Sequence, residues 1–178
     1  MSQAEIAGGK LISADELPTK GHLLRDFELV SSKGEPIHLS DYRGRLNLVL
    51  IVTDQNRDAE ELLRESRDHY EEIRRYDAEV LAIMGLSRKQ ASDEAQRLKL
   101  PYPVLPDPEK HVHRLLGAID AQGRDSAAVY ITDRFGEVFG AYRTKDQQAL
   151  PSLPDILNWL EFVEAQCPEC EPPEWPVQ

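Results

Sequence analysis

The residues best suited to chemistry are the two cysteines of the chain, which share one motif, Cys167-Pro168-Glu169-Cys170. A Cys-x-x-Cys pair can cycle between dithiol and disulfide. This pair follows the last predicted helix, so the helix dipole and the neighbouring glutamates both oppose thiolate formation. We therefore predict Cys167 and Cys170 as a slow redox pair and as the catalytic residues, without assigning which sulfur attacks first.

The same motif has two competing interpretations. Zinc would need two further ligands, either the cysteines of a second chain or His111 and His113. These two histidines are two apart on a short predicted helix and point in different directions, with Val112 or His113 facing the core. The pair could also be an unreactive part of the proline-rich tail. From the sequence we predict neither a bound metal nor a cofactor.

Composition restricts the class of partner. The chain of 178 residues has 21 basic and 32 acidic side chains, a formal net charge of -11, which disfavours nucleic acid and anionic membrane surfaces. The longest apolar run, Leu46–Val52, is too short to span a bilayer, and the first ten residues do not resemble an export signal. The sequence predicts a cytoplasmic protein whose partner carries a thiol or disulfide, and it leaves a homodimer open.

The elements that must position these residues alternate along the chain. A hairpin is predicted between residues 27 and 39, followed by a central strand at 46–52 and a long helix from Asp58 to about Arg75. Further strands are expected at 79–84, 103–105, 127–132 and 137–142, with helices at 87–98, 109–116 and 152–165. This order predicts an α/β fold in which helices cover both faces of a mixed sheet. We expect a lead-in at 1–20, one domain at 21–166 and a tail at 167–178.

Several stretches resemble the AhpC/TSA branch of the peroxiredoxins. They are Asp26-Phe27-Glu28-Leu29, the segment 37–45, Val80-Leu81-Ala82-Ile83, Asp107-Pro108-Glu109-Lys110 and the hairpin at 129–138. The resemblance implies a thioredoxin-like fold with an N-terminal β-hairpin. It also implies a peroxide-reducing cysteine in a Pro-x-x-x-Thr/Ser-x-x-Cys loop directly after the central strand.

That loop differs in this chain. Residues 53–60, Thr-Asp-Gln-Asn-Arg-Asp-Ala-Glu, contain neither cysteine nor proline, and the family's cysteine aligns near Arg57 or Asp58, of which Asp58 is expected to cap the helix. The family's second arginine aligns near Ala127, with Arg124 as a nearby substitute. We therefore expect no peroxidase activity of the family's kind, and thiol redox at Cys167 and Cys170 instead. A non-catalytic binding or regulatory module and a zinc-clipped dimer are the alternatives.

Overall fold

The computed structural model describes residues 16–54 and 56–166, and all structural statements below concern these residues. The strands are β1 (Glu28–Val30), β2 (Pro36–His38), β3 (Asn47–Thr53), β4 (Ala78–Met84), β5 (Val104–Pro106), β6 (Ala128–Thr132) and β7 (Val138–Arg143). The helices are α1 (Arg57–Asp68), α2 (Tyr70–Arg74), α3 (Arg88–Leu98), α4 (His111–Leu115) and α5 (Leu153–Ala165).

The central sheet has five strands in the order β5-β4-β3-β6-β7. Strand β3 is parallel to β4, which is parallel to β5, whereas β6 and β7 are antiparallel to their neighbours. All seven residues of β3 are buried, as expected for a strand that is covered on both faces. Strands β1 and β2 form a separate antiparallel hairpin.

Alternate residues of β3 serve two apolar cores. Val49 and Ile51 belong to the core shared with helices α1, α2, α3 and α5, whereas Leu48, Leu50 and Val52 belong to the core shared with α4 and the N-terminal hairpin. The predicted mixed sheet with helices on both faces is therefore confirmed, and so is the N-terminal hairpin.

The first long helix differs from its prediction in two ways. Asn56, not Asp58, is the N-cap, because the Asn56 side chain accepts a hydrogen bond from the Ala59 N–H. Asp58 lies instead in the first turn of α1. The helix also breaks at His69, whose backbone (φ -113°, ψ 20°) is not helical, so that α2 begins one residue later.

The last helix begins and ends close to its predicted limits, with Ser152 as N-cap in a reciprocal capping box with Asp155. Its inner face buries Ile156, Leu160 and Val163. Near its C-terminus, Glu164 Oε1 accepts a hydrogen bond of 2.6 Å from the Asn47 side chain. Because Asn47 begins β3, helix α5 ends at the amino end of the central strand.

Candidate functional site

The candidate site lies at the end of the sheet opposite to the contact between Asn47 and Glu164. There the carboxyl ends of β3, β4 and β5 meet the amino end of β6. We refer to this end of the sheet as the site edge. Open α/β sheets usually bind ligands at the carboxyl ends of their parallel strands. Thr53 ends β3, and helix α1 begins at Arg57. This is the loop in which the family resemblance expects the reactive cysteine.

An ion-pair triad occupies this edge. Lys110 Nζ donates to Asp54 Oδ2 at 2.7 Å and also contacts Asp125. Partial burial by itself would lower the pKa of Lys110, but hydrogen bonds to Asp125 and Asp54 outweigh it and raise that pKa. The hydrogen bond from Lys110 likewise lowers the pKa of Asp125. The triad therefore holds a charged lysine between two carboxylates.

Gly85 leaves room for this triad. A Cβ atom at position 85 would lie 3.1 Å from Asp54 Oδ2 and 3.1 Å from Lys110 Cε. Both distances are tighter than ordinary van der Waals contact, so a larger residue would require Asp54 or Lys110 to shift by a few tenths of an ångström. The glycine directly after β4 thus lets Asp54 and Lys110 lie close to the backbone at this position.

A contact between Asp107 and His113 lies beneath the loop and is buried. His113 Nδ1 lies 2.7 Å from Asp107 Oδ2, and His113 Nε2 lies 3.2 Å from the Thr53 carbonyl oxygen. Burial would raise the pKa of Asp107, but hydrogen bonds from the His113 side chain and backbone outweigh it and lower that pKa. The two ring nitrogens of His113 thus contact Asp107 on one side and the end of β3 on the other, so the imidazole links β5 and β3.

Beside the start of α1 there is a cavity of about 240 Å³. Its lining residues are Thr53, Asp54, Asn56, Glu60, Leu63, Met84, Leu86, Glu94, Arg97 and Leu98. On its rim, Arg97 Nη2 donates to Glu60 Oε2 at 2.9 Å and to Glu94 Oε2 at 2.6 Å. Hydrogen bonds from Arg97 and Arg64 lower the pKa of Glu60 to about 2. The charged side chains on this rim are therefore bonded to one another.

The hydroxyl and carboxyl groups at this edge already have partners. The Thr53 hydroxyl donates to the Asp54 carbonyl oxygen at 2.6 Å, and no general base stands next to it in the hydrogen bonds described. Asp54 is held by Lys110. Since chemistry by the family's route needs a thiolate at the helix start, this arrangement is better suited to holding the loop in place than to attacking peroxide.

Sequence reasoning missed Lys110, Asp107 and His113 as members of this edge. The segment 107–110 resembles the family but carries no other functional signal, and the spacing of 56 residues between Asp54 and Lys110 leaves no local pattern. Of the two histidines considered for zinc, His113 is fully buried and bound to Asp107, as the core-facing alternative predicted, whereas His111 is exposed.

Two further sequence expectations concern the start of β6. Arg124 does not enter the site: its guanidinium donates to Asp120 at 2.6 Å, and its side chain is 75% exposed. Ala127, where the family's second arginine aligns, is buried and apolar. Neither the family's second arginine nor its substitute is therefore present at this edge.

The predicted redox residues Cys167 and Cys170 lie outside the described residues, which end at Gln166. In the described ranges, no group of three or more histidine, cysteine or acidic side chains is arranged to hold a metal ion. Within the same ranges, none of the helices combines the length and the apolar character needed to cross a membrane.

The geometry matches known thioredoxin-fold proteins. The crystal structure of peroxidoxin BcpB from Mycobacterium tuberculosis superimposes with a TM-score of 0.69 and 18% identity, covering 83% of this chain and 99% of that one. A mutant of PrxQ from Xylella fastidiosa gives a TM-score of 0.71 and 18% identity, covering 83% and 98%. The fold is thus that of the thioredoxin-like peroxiredoxins.

The sequence comparisons establish the family. The AhpC/TSA family model matches residues 21–142, more than half of the chain, and the protein belongs to this family. It is also 28% identical over 137 residues to chloroplastic peroxiredoxin Q from Sedum lineare, a match that covers 72% of this chain and 71% of that protein.

Proposed function

We propose that this protein is a thiol-redox member of the AhpC/TSA family in which the chemistry is carried by Cys167 and Cys170, not by a cysteine at the start of α1. The observation that carries the proposal is the separation between sulfur and the family's site. Both cysteines of the chain follow residue 166, whereas the start of α1 is built from Asp54, Asn56 and Arg57.

Chain reach supports this separation. Strand β3 runs from Asn47 to Thr53, which is about 20 Å at a rise of about 3.3 Å per residue. Glu164 is bonded to Asn47, and three residues of extended chain span at most about 11 Å. Glu164, three residues before Cys167 in the sequence, thus lies at the amino end of β3 and away from the loop that begins α1.

The proposed reaction is thiol–disulfide exchange. The thiolate of one cysteine attacks a sulfur of the partner's disulfide, forming a mixed disulfide and releasing the first partner thiolate. The second cysteine, after losing its proton to solvent, attacks the mixed disulfide. This step closes the Cys167–Cys170 bond and releases the second partner thiolate, so two electrons pass to the partner.

The local charges favour a slow reaction. The carbonyl end of α5 and nearby glutamates disfavour a thiolate. The negative charge of one nearby glutamate, Glu164, is partly offset by Arg134, whose Nη2 lies 3.2 Å from Glu164 Oε1. Since Arg134 is bonded to Glu164, its charge is not available in full to Cys167.

A matched set of full-length variants tests this function. We expect the parent to reduce a small-molecule disulfide with a dithiol as the electron donor, and expect Cys167→Ser and Cys170→Ser each to abolish turnover without altering thermal unfolding. Consumption of hydroperoxide in the same assay is expected to depend on the same two residues. Unchanged disulfide turnover in the double serine variant would overturn the assignment.

A non-catalytic binding module is the second candidate. It is favoured by the paired charges that close the start of α1 and by the exposed aromatic Phe162 on α5. It predicts that the parent and the double serine variant bind the same protein partner with the same affinity, and that neither turns over disulfides.

The third candidate is a zinc site that uses Cys167 and Cys170, and the positions of the two histidines bear on which further ligands it could have. His113 is bound within the core, and both His111 and His113 lie on α4, at the edge that holds Asp107. A zinc clip would then depend on two chains that each supply Cys167 and Cys170. Native mass spectrometry of protein purified without chelator would reveal such a clip as a dimer that carries one metal ion and dissociates on chelation.

A further inference from the structure

A surface groove on the outer side of α5 has no role in the proposed redox function. It has a volume of about 410 Å³ and is lined by Lys20, Tyr142, Asp155, Asn158, Trp159 and Phe162. We call it the aromatic groove. Phe162 is 46% exposed and is one of only two large hydrophobic side chains that are exposed in the described residues.

The walls of the aromatic groove are held in fixed positions. Trp159 Nε1 donates to the Tyr142 hydroxyl at 2.7 Å. Phe162 packs edge-on against both Trp159 and Phe139, each with a ring-centroid separation of 6.0 Å. A Cβ atom at Gly140 would lie 3.2 Å from Trp159 Nε1, so the glycine lets the indole lie close to β7. The groove is preformed and presents rigid aromatic rings.

The lining of the aromatic groove carries one cation, Lys20, and one carboxylate, Asp155. Lys20 Nζ lies 5.6 Å from the centre of the Trp159 ring, in the range of a cation–π contact. The Asp155 carboxylate already accepts hydrogen bonds from the Ser152 backbone N–H and hydroxyl, at 2.9 and 2.8 Å. Lys20 is thus the charged group best placed to meet a ligand.

We propose that the aromatic groove is the docking site for the C-terminal tail of the same chain, with Trp175 as the anchor. The tail is twelve residues long and contains four prolines, three glutamates and one tryptophan, in the sequence CPECEPPEWPVQ. Its aromatic ring and flanking prolines suit an aromatic groove. Glu174, next to Trp175, supplies the charge opposite to that of Lys20.

The tail is long enough and begins in the right place. Phe162 precedes the end of α5 by three residues, which is about 5 Å along the axis, and Asp155 precedes it by ten residues, about 15 Å. Trp175 follows Gln166 by nine residues, which span about 28 Å in a polyproline conformation. The anchor can therefore return over the whole length of the groove.

The sequence after the helix favours this return. Gln166 leaves α5 with an extended backbone, at φ -71° and ψ 142°. Pro168 stands at the second position of the four-residue segment Cys167–Cys170, the position that proline favours in type I and II β-turns. The stiffness of the proline-rich segment lowers the entropic cost of docking.

Fluorescence tests the docking without any thiol chemistry. Trp159 and Trp175 are the two tryptophans of the chain, so full-length Trp175→Phe and Trp175→Ser each leave Trp159 as a single reporter. Both variants would be prepared in the Cys167→Ser/Cys170→Ser background, so that loss of the redox function leaves the result unaffected. Phenylalanine retains an aromatic anchor, whereas serine removes it.

We expect acrylamide to quench Trp159 about twofold more strongly in Trp175→Ser than in Trp175→Phe, because a docked ring covers one face of the indole. The difference should persist on dilution of a protein that light scattering shows to be monomeric. Equal quenching in the two variants would overturn the proposal. Shielding that vanishes on dilution together with a dimer would overturn it in favour of a second copy as the occupant.

Discussion

At the scale of single residues, charged pairs hold the loop between β3 and α1. Lys110 bridges Asp54 and Asp125, while His113 connects Asp107 to the Thr53 carbonyl. A reactive thiolate at a helix start needs a surplus of positive charge and of free N–H donors. The carboxylates here offset that surplus, which supports our proposal that this loop is structural.

Removing the central lysine should destabilise the protein. We expect Lys110→Met to lower the free energy of unfolding by about 1–3 kcal/mol, because Asp54 and Asp125 lose the cation between them. Lys89→Met is the matched control, since Lys89 is exposed on α3 and its replacement should change stability by less than about 0.5 kcal/mol. Equal effects in urea unfolding would contradict a structural role for the triad.

The buried histidine should matter more. The His113→Asn variant loses the contacts of the imidazole with the Asp107 carboxylate and the Thr53 carbonyl oxygen in the core, and leaving a buried polar group without its partner typically costs about 1–3 kcal/mol, more where that group is charged. His111→Asn, two residues away on the exposed side of α4, serves as the control. Chemical unfolding of both variants would measure the contrast, and equal effects at His111 and His113 would show that the buried contact with Asp107 does not stabilise the fold.

At the scale of elements, the β6–β7 hairpin carries a titrating group. Burial, followed by the nearby Asp133 carboxylate, raises the pKa of Glu137 to about 7 from an ordinary value of 4.5. Burial also raises the pKa of Asp133 itself. The adjacent cation, Arg134, forms an ion pair with Glu164. The turn therefore holds the carboxyl groups of Asp133 and Glu137 close together, with little positive charge to offset them.

This hairpin makes stability depend on pH. Because the folded protein binds the Glu137 proton more tightly than the unfolded chain does, its contribution is fully present below pH 4.5 and is lost as the pH rises through about 7. We expect Glu137→Gln to flatten the pH dependence of the melting temperature between these values. Glu161→Gln, at an exposed position of α5, should leave it unchanged; identical profiles would refute the assignment to Glu137.

The elements show what local sequence can predict. The apolar run 46–52 and the alternation of strand-like and helix-like segments predicted most of the fold, because burial and periodicity are local signals. The start of α1 was misplaced because the Asp58/Glu61 spacing imitates a capping box, while Asn56 makes the actual bond. The contacts of Lys110 and His113 join segments 56 and 60 residues apart, so they depend on the fold and have no local signature.

At the scale of the whole molecule, the two ends of the central strand have different roles in our account. The carboxyl end of β3 leads into the loop that the charged pairs hold, and the amino end contacts Glu164, shortly before the chain reaches Cys167. The aromatic groove lies along α5, the helix that directly precedes Cys167 in the sequence. Family membership and altered chemistry are thus compatible on one scaffold.

The most direct test of the central claim is mass spectrometry of trapped thiols before and after mild oxidation. Full-length protein, reduced and then freed of reductant, is treated with a hydroperoxide and alkylated. Our account predicts two alkylated cysteines before oxidation and none afterwards, with the chain lighter by two hydrogens and restored by a dithiol. If Cys167 and Cys170 both remain open to alkylation after oxidant, the redox assignment is contradicted.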